Sequence, residues 1–311
     1  MIPVSGGKDS TWQVVTALKY NLKPLCVTWK TPVRSKIGIQ NLENLIKLGV
    51  DHYDVSINPD VEKYFCYQTF VKFGSPAIPM HMALHSIPLN IAEKFKIPLI
   101  LWGENSAFEY GGSNKKLKGK RLDNKWREKY GVYPNLSLKK FVNKKISLRD
   151  LNIYKVQKNI KNTEELFLGY FFKWDPVKIF NIVKNFNFKS LSKPKIGFYN
   201  FADIDDNFII TIHHWMKWYK FGFTRVFDNL SLEIRNGRIS RQKAIQVIRN
   251  SGFKPTKEIK EFCNYININE KKFFKICENF RNKDIWKYNI RKRKWILENS
   301  IFKDYENKNK K

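Results

Sequence analysis

The chain has 311 residues, 58 Lys+Arg against 28 Asp+Glu and a formal net charge of +30; 42% of it is hydrophobic and 15% aromatic. That is enough apolar material for a core, so disorder as the dominant state is excluded. No apolar run approaches the ~18 residues of a membrane helix, and the start Met-Ile-Pro-Val-Ser-Gly-Gly-Lys-Asp-Ser lacks the basic and apolar stretches of a signal peptide, so a cytoplasmic protein without a membrane partner is expected.

Cys26, Cys66, Cys263 and Cys277 are isolated, with no C-x-x-C pair, which suits a reducing compartment and disfavours a cysteine-built zinc site. The charge invites a nucleic-acid reading, but the first 100 residues carry 11 basic and 7 acidic side chains, so the excess lies downstream. There are 46 lysines to 12 arginines, whereas bidentate readout of phosphates and bases favours arginine. A solvated surface is the preferred reading over a polynucleotide groove.

In chain order, Ile2 to Val4 reads as a strand stub, Thr11 to Tyr20 as a helix, Pro24 to Trp29 as a strand, Ile37 to Leu48 as a helix and His52 to Ile57 as a strand. Met82 to Phe95 follows as a helix, Pro98 to Trp102 as a fourth strand, Leu166 to Phe172 as a fifth and Pro176 to Asn185 as a helix. From Asp206 onward the pattern is helical over 206–221, 228–236, 240–250, 256–265 and 269–281. Strands alternating with helices predict an α/β architecture with a parallel sheet. The expected organisation is a nucleotide-binding part over 1–112, a basic insertion or lid over 113–160, a fifth strand and helix over 161–200, a helical substrate-side region over 201–285 and a basic tail over 286–311, solvated after Ile290.

Ser5-Gly6-Gly7-Lys8-Asp9-Ser10 stands between a strand and a helix. Two glycines permit a tight turn, the helix start adds N–H donors and the positive end of its dipole, and Lys8 adds a full charge. The hydroxyls of Ser5 and Ser10 can donate to phosphate oxygens, and Asp9 can hold Mg²⁺ against them. Neither G-x-x-x-x-G-K-[ST] nor G-x-G-x-x-G is present. The hexapeptide resembles the S-G-G-x-D-S signature of the PP-loop ATP pyrophosphatases, which include GMP synthetase, argininosuccinate synthetase and the tRNA-thiolation and lysidine enzymes. This resemblance implies a five-stranded parallel sheet of order 3-2-1-4-5 with ATP at its switch point.

Further segments narrow the resemblance: Pro24-Leu25-Cys26-Val27-Thr28-Trp29, the run from Gly103 to Gly112, Gly169-Tyr170-Phe171-Phe172-Lys173-Trp174-Asp175, and Ala202 to Phe208 leading into His213 to Phe223. With the phosphate loop these are similar to the bacterial N-acetyl sugar amidotransferase family, from residue 2 to about residue 280. That family implies conversion of an acetamido group to an acetamidino group on an activated sugar or nonulosonic acid, for lipopolysaccharide O-antigens or pseudaminic- and legionaminic-type acids. The amide oxygen would attack the α-phosphate of ATP, and ammonia would displace AMP. The resemblance also implies a glutaminase subunit as ammonia donor, with a cyclase-like subunit as conduit, and a further N-terminal segment with paired cysteines that precedes Ser5 in typical members. Its rivals are a tRNA-modifying PP-loop enzyme and a catalytically degraded nucleotide-binding remnant.

Candidate ATP-binding residues are Ser5, Gly6, Gly7, Lys8, Asp9, Ser10, Thr28 and Gly103, with Asp9 as the Mg²⁺ ligand. Candidate catalytic groups are Lys8, Asp9, Glu104, Asn105, Asp205, Asp206 and His213. Glu104 and Asn105 qualify because they follow a strand's carboxyl end. Asp203, Asp205 and Asp206 form an acidic cluster equally readable as metal or ammonia ligands or as a helix cap. Asp206, His213, Lys217 and Lys220 recur on one helix face, readable as a phosphate-facing stripe or a solvated face. Glu109, Tyr110, Lys217 and Lys220 are the substrate-binding candidates, with His214 beside His213 as alternative proton carrier. Cys26 reads as core, and His81 and His85 lack a third metal ligand in sequence reach.

Overall fold

The structure, a computed structural model, describes residues 1–103, 109–110, 119–123, 126–127, 136–156, 160, 162–251, 254–298 and 300–301. Its first half alternates strand and helix: β1 (Ile2–Pro3), α1 (Lys8–Lys19), β2 (Cys26–Trp29), α2 (Lys36–Ile46), β3 (His52–Val55), α3 (Pro59–Phe73), α4 (Ile78–Lys94) and β4 (Leu99–Trp102). After short turns at α5 (Leu148–Leu151) come β5 (Glu164–Phe167), α6 (Leu168–Phe171) and α7 (Pro176–Lys184). The rest is helical, α8 (Ile209–Phe221), α9 (Arg225–Arg235), α10 (Arg241–Asn250), α11 (Thr256–Tyr265) and α12 (Glu270–Asn279), before an antiparallel hairpin of β6 (Trp286–Asn289) and β7 (Lys294–Leu297).

The five-stranded parallel sheet of order 3-2-1-4-5 does not form. Among the described residues the strands make a three-stranded parallel sheet β1-β2-β3, a two-stranded parallel sheet β4-β5 and the hairpin. The reason is the brevity of β1: it has two residues, and Pro3 has no N–H to donate to a ladder. Its link to β4 is reduced to the Leu101 N–H on the Met1 carbonyl (3.0 Å) and the Met1 ammonium on the Leu99 carbonyl (2.8 Å). The fifth strand is also shorter than expected, because the chain turns into α6 after Phe167.

Helix ends follow local chemistry. Ser35 caps α2 by accepting the Gly38 N–H, Pro59 opens α3 behind the Asn58 cap, and Asp175 caps α7 through the Val177 and Lys178 N–H groups. Gly74 and Gly222 end α3 and α8 in the left-handed conformation.

Part of the expected basic lid is built into the core. Leu138, Phe141, Ile146, Leu151 and Tyr154 are buried against Trp29, Phe65 and Ile87, so residues 138–154 anchor on α3 and α4 through apolar side chains spaced too irregularly to signal an element. A second apolar cluster joins α3 to α8, α11 and α12 through Phe70, Ile212, Trp215, Phe262 and Phe273. The helical region is thereby packed on the strand-and-helix half and holds the segment 199–214 beside the Ser5–Ser10 loop.

Candidate functional site

A cavity of about 450 Å³ lies between the Ser5–Ser10 loop and the segment around 199–214. The loop is shaped by its own backbone and hydroxyls. Gly6 has φ +84°, and a Cβ there would stand 2.7 Å from the Gly38 carbonyl oxygen and 2.8 Å from the Leu42 nitrogen of α2, so only glycine fits. The Ser5 hydroxyl accepts the Gly7 N–H at 3.2 Å, while the Ser10 and Thr11 hydroxyls donate to the Gly7 carbonyl at 2.9 and 3.1 Å. Gly7 is the N-cap of α1 and supplies no side-chain acceptor, so the helix presents its positive end to the cavity.

Lys8 is 6% exposed. Its ammonium pairs with the Asp9 carboxylate and lies 5.4 Å from the Trp174 ring centre, and Trp174 Nε1 donates to Asp9 Oδ1 at 3.0 Å. Both Asp9 oxygens are thus engaged. Among the described residues no group of three or more His, Cys, Asp or Glu is arranged to hold a metal. In this arrangement Asp9 orients Lys8 and Trp174.

The opposite wall is acidic and histidine-rich. The segment 203–207 is stitched to residues 33–35: the Ser35 N–H donates to the Asp205 carbonyl (3.0 Å), the Asn207 N–H to the Val33 carbonyl (2.9 Å) and the Ser35 hydroxyl to the Ile204 carbonyl. This brings the Asp205 carboxyl to the Ser5 hydroxyl; burial pushes its pKa up, and Ser5 offsets part of the rise. Asp206 is 4% exposed. Its Oδ1 accepts the Ile210 N–H at 3.1 Å, which delays α8 to Ile209, whereas Oδ2 is buried without a partner. Burial raises its pKa to about 7, against the pull of Lys195, whose ammonium reaches the Asp206 main-chain carbonyl.

Asp203 serves a different purpose. Burial alone would raise its pKa, but the Arg225 guanidinium (3.2 Å) and His214 (3.7 Å) hold the carboxyl well below the usual range. Arg225 also meets Glu109 Oε1 at 2.7 Å and donates to the Tyr110 hydroxyl at 3.2 Å. Although desolvation would lower its pKa, Glu109 and Asp203 keep it fully charged. This buried cation fastens residues 109–110 to α9.

His81, His85, His213 and His214 all line the cavity. His213 Nδ1 shares a hydrogen bond with the Ser75 hydroxyl at 3.0 Å, and its ring meets His81 edge-on at 5.3 Å. Burial lowers the pKa of His81 to about 4 and of His85 to about 3, and places those of His213 and His214 below the ordinary value, so all four are neutral at pH 7.

Of the residues singled out in the sequence, Ser5, Gly7, Lys8, Asp9, Ser10, Thr28, Gly103, Glu109, Tyr110, Asp205, Asp206 and His213 line this cavity. Thr28 spends its hydroxyl on His52 Nε2 (2.8 Å). Lys217 and Lys220 are not brought to it: Lys217 pairs with Asp228 at 2.5 Å, and Lys220 donates to the Phe73 carbonyl at 2.7 Å. Glu104 and Asn105 lie outside the described residues. Cys26 is fully buried, and burial raises its thiol to about 12. Arg225 and Ser75 escaped notice in the sequence, since both act through partners far along the chain.

Residues 182–299 match the C-terminal domain of the WbpG-like LPS biosynthesis proteins. The match spans less than half of the chain and supports an LPS or sugar-biosynthesis family. It contains the acidic segment, the paired histidines and Arg225, the half of the cavity that faces the Ser5–Ser10 loop. No curated protein matches the chain.

Proposed function

We propose that the chain is an ATP-dependent amidotransferase that activates the acetamido oxygen of an N-acetylated, anionic activated sugar as its adenylate. Ammonia-derived nitrogen then replaces that oxygen, giving an acetamidino sugar, AMP and pyrophosphate. The observation carrying the reading is the make-up of one cavity, with a phosphate-type loop on one wall and the LPS-biosynthesis-like segment on the other.

An amide carbonyl is a poor electrophile, so replacement of its oxygen needs a better leaving group, which ATP supplies. In this reading the uncapped start of α1 and the Lys8 ammonium hold phosphate oxygens, Lys8 exchanging its Asp9 contact for them. Asp206 Oδ2, buried and unpartnered beside the cavity with a pKa near 7, takes a proton from the incoming nitrogen. In this reading His213, neutral and oriented by Ser75, hydrogen-bonds the departing group, and AMP leaves as its anion without a proton from the imidazole. Glu109 and Tyr110, pinned by Arg225, border the sugar side. Ammonia comes from a glutaminase subunit in this reading, since the chain offers no cysteine and histidine glutaminase pairing: its four cysteines are buried.

The test is incubation with ATP, magnesium, ¹⁵N-ammonium and nucleotide-linked acetamido sugars. The expected product carries ¹⁵N in an amidine, with AMP formed in step. Formation of AMP without any dependence on the sugar contradicts the reading.

A further inference from the structure

The hairpin β6–β7 lies away from the cavity; none of its residues lines it. Its root is fixed to the helical region. Trp286 is 3% exposed, donates from Nε1 to the Tyr219 carbonyl at 3.1 Å and packs edge-on against Trp218 at 4.9 Å. Leu297 fits over Gly222, and the Arg281 guanidinium lies 4.9 Å from the Trp286 ring and 5.3 Å from that of Trp295.

The tip contradicts ordinary turn chemistry in two independent ways. Ile290 is 81% exposed, more than any other large apolar side chain among the described residues, at a place where turns favour polar residues. Arg293 occupies φ +47°, a conformation that glycine or asparagine adopts with less strain. The turn is nonetheless well formed: Asn289 Oδ1 accepts the Lys292 N–H at 2.8 Å, and the Arg293 N–H meets the Ile290 carbonyl at 3.3 Å. The turn itself carries Arg291, Lys292 and Arg293, with Lys294 opening β7, all exposed, while Lys287 nearer the root pairs with Glu298 at 3.9 Å. Register sets Tyr288 opposite Trp295, ring centres 5.4 Å apart, with Tyr288 51% exposed near the tip.

We propose that this hairpin docks the protein peripherally on an anionic lipid surface. Ile290 would enter the acyl boundary, Tyr288 would lie at headgroup level and the four cations Arg291, Lys292, Arg293 and Lys294 would meet lipid phosphates. Each cation near such a surface contributes about a fivefold factor in partitioning, so one aliphatic side chain suffices to set depth while charge sets affinity. A polynucleotide would use the same cations but offers no apolar layer for an aliphatic tip. The absence of any helix long and apolar enough to cross a membrane among the described residues is compatible with this surface contact, and the proposal does not depend on the amidotransferase reading.

The test is co-sedimentation of the full chain with vesicles of phosphatidylcholine alone or mixed with phosphatidylglycerol, with and without RNA as competitor. Expected is pelleting with phosphatidylglycerol vesicles only, weakening as salt rises. Ile290→Asp should lower partitioning about tenfold, the double change Arg291→Glu with Arg293→Glu should lower it to the phosphatidylcholine level, and Ile290→Trp should hold or strengthen it. Circular dichroism checks that each variant is folded. Equal pelleting of Ile290→Asp and Ile290→Trp, indifference to phosphatidylglycerol, or release from vesicles by RNA at matched phosphate would overturn the proposal.

Discussion

Lys8 and Glu62 show how burial gives single side chains their meaning. Lys8 is buried beside the open start of a helix with Asp9 as counter-charge, a cation that an incoming phosphate can claim without the cost of stripping it from bulk water. Lys8→Ala should therefore weaken ATP binding by about 1.5–3 kcal/mol, the worth of a charge-assisted hydrogen bond, measured by calorimetric titration, with little change in melting temperature. Glu62 lies in the core, 3% exposed, accepting the Trp29 Nε1–H at 2.6 Å, and burial raises its pKa to about 8. Between its unfolded value of 4.5 and about 8 the native state binds a proton that the unfolded chain has lost, so this residue makes stability fall as pH rises through that window. Glu62→Gln should abolish this decline and stabilise the protein at pH 8 by on the order of 1–3 kcal/mol, read from urea midpoints at pH 5 and pH 8.

Elements differ in how plainly the sequence announces them. The Ser5–Ser10 loop was legible as a strand-to-helix turn because strand, glycines and helix start are consecutive, and α7 to α12 were legible because each shows an apolar stripe. Helix α3 was not, because Glu62, Gln68 and Thr69 are buried along with Val61, Phe65 and Phe70, which erases the contrast between faces. The hairpin was missed because its basic tip reads like a solvated terminus, while the residues that fix it, Trp286 and Leu297, meet partners on α8 and at Gly222. Two changes test how elements position the cavity. Gly6→Ala would put a methyl against α2 backbone in a left-handed residue and should cost on the order of 2–4 kcal/mol, seen as a lowered urea midpoint together with lost ATP binding. Arg225→Met would leave Glu109 and Asp203 buried without their cation and should cost about 3–5 kcal/mol; Asp203→Asn in the same chain should recover part of that loss.

Across the whole molecule, the sheet that the sequence pattern suggested is interrupted at its centre, since a two-residue β1 with a proline cannot form ladders on both edges. The cavity does not require that ladder. Packing of α8, α11 and α12 on α3, with the stitched loops at 33–35 and 203–207, holds the acidic wall opposite the Ser5–Ser10 loop. No local pattern could reveal this pairing, because Ser5 and Asp205, or Glu109 and Arg225, meet only after the chain has folded back on itself. The surplus of lysine likewise reads differently in three dimensions: Lys8 serves the cavity, Lys217 and Lys220 support packing, and a cluster at the hairpin tip forms a surface of its own.

The central claim is that the amide oxygen of the substrate becomes the bridging oxygen of an adenylate formed in this cavity. An acetamido sugar labelled with ¹⁸O in its amide carbonyl, turned over with ATP and ammonium, tests it directly by phosphorus NMR and mass spectrometry of the nucleotide products. The account predicts the label in the phosphate of AMP, with none in pyrophosphate and much less labelled AMP from Lys8→Ala at the same ATP concentration. Label in inorganic phosphate alongside ADP, or AMP that carries no label, would contradict it.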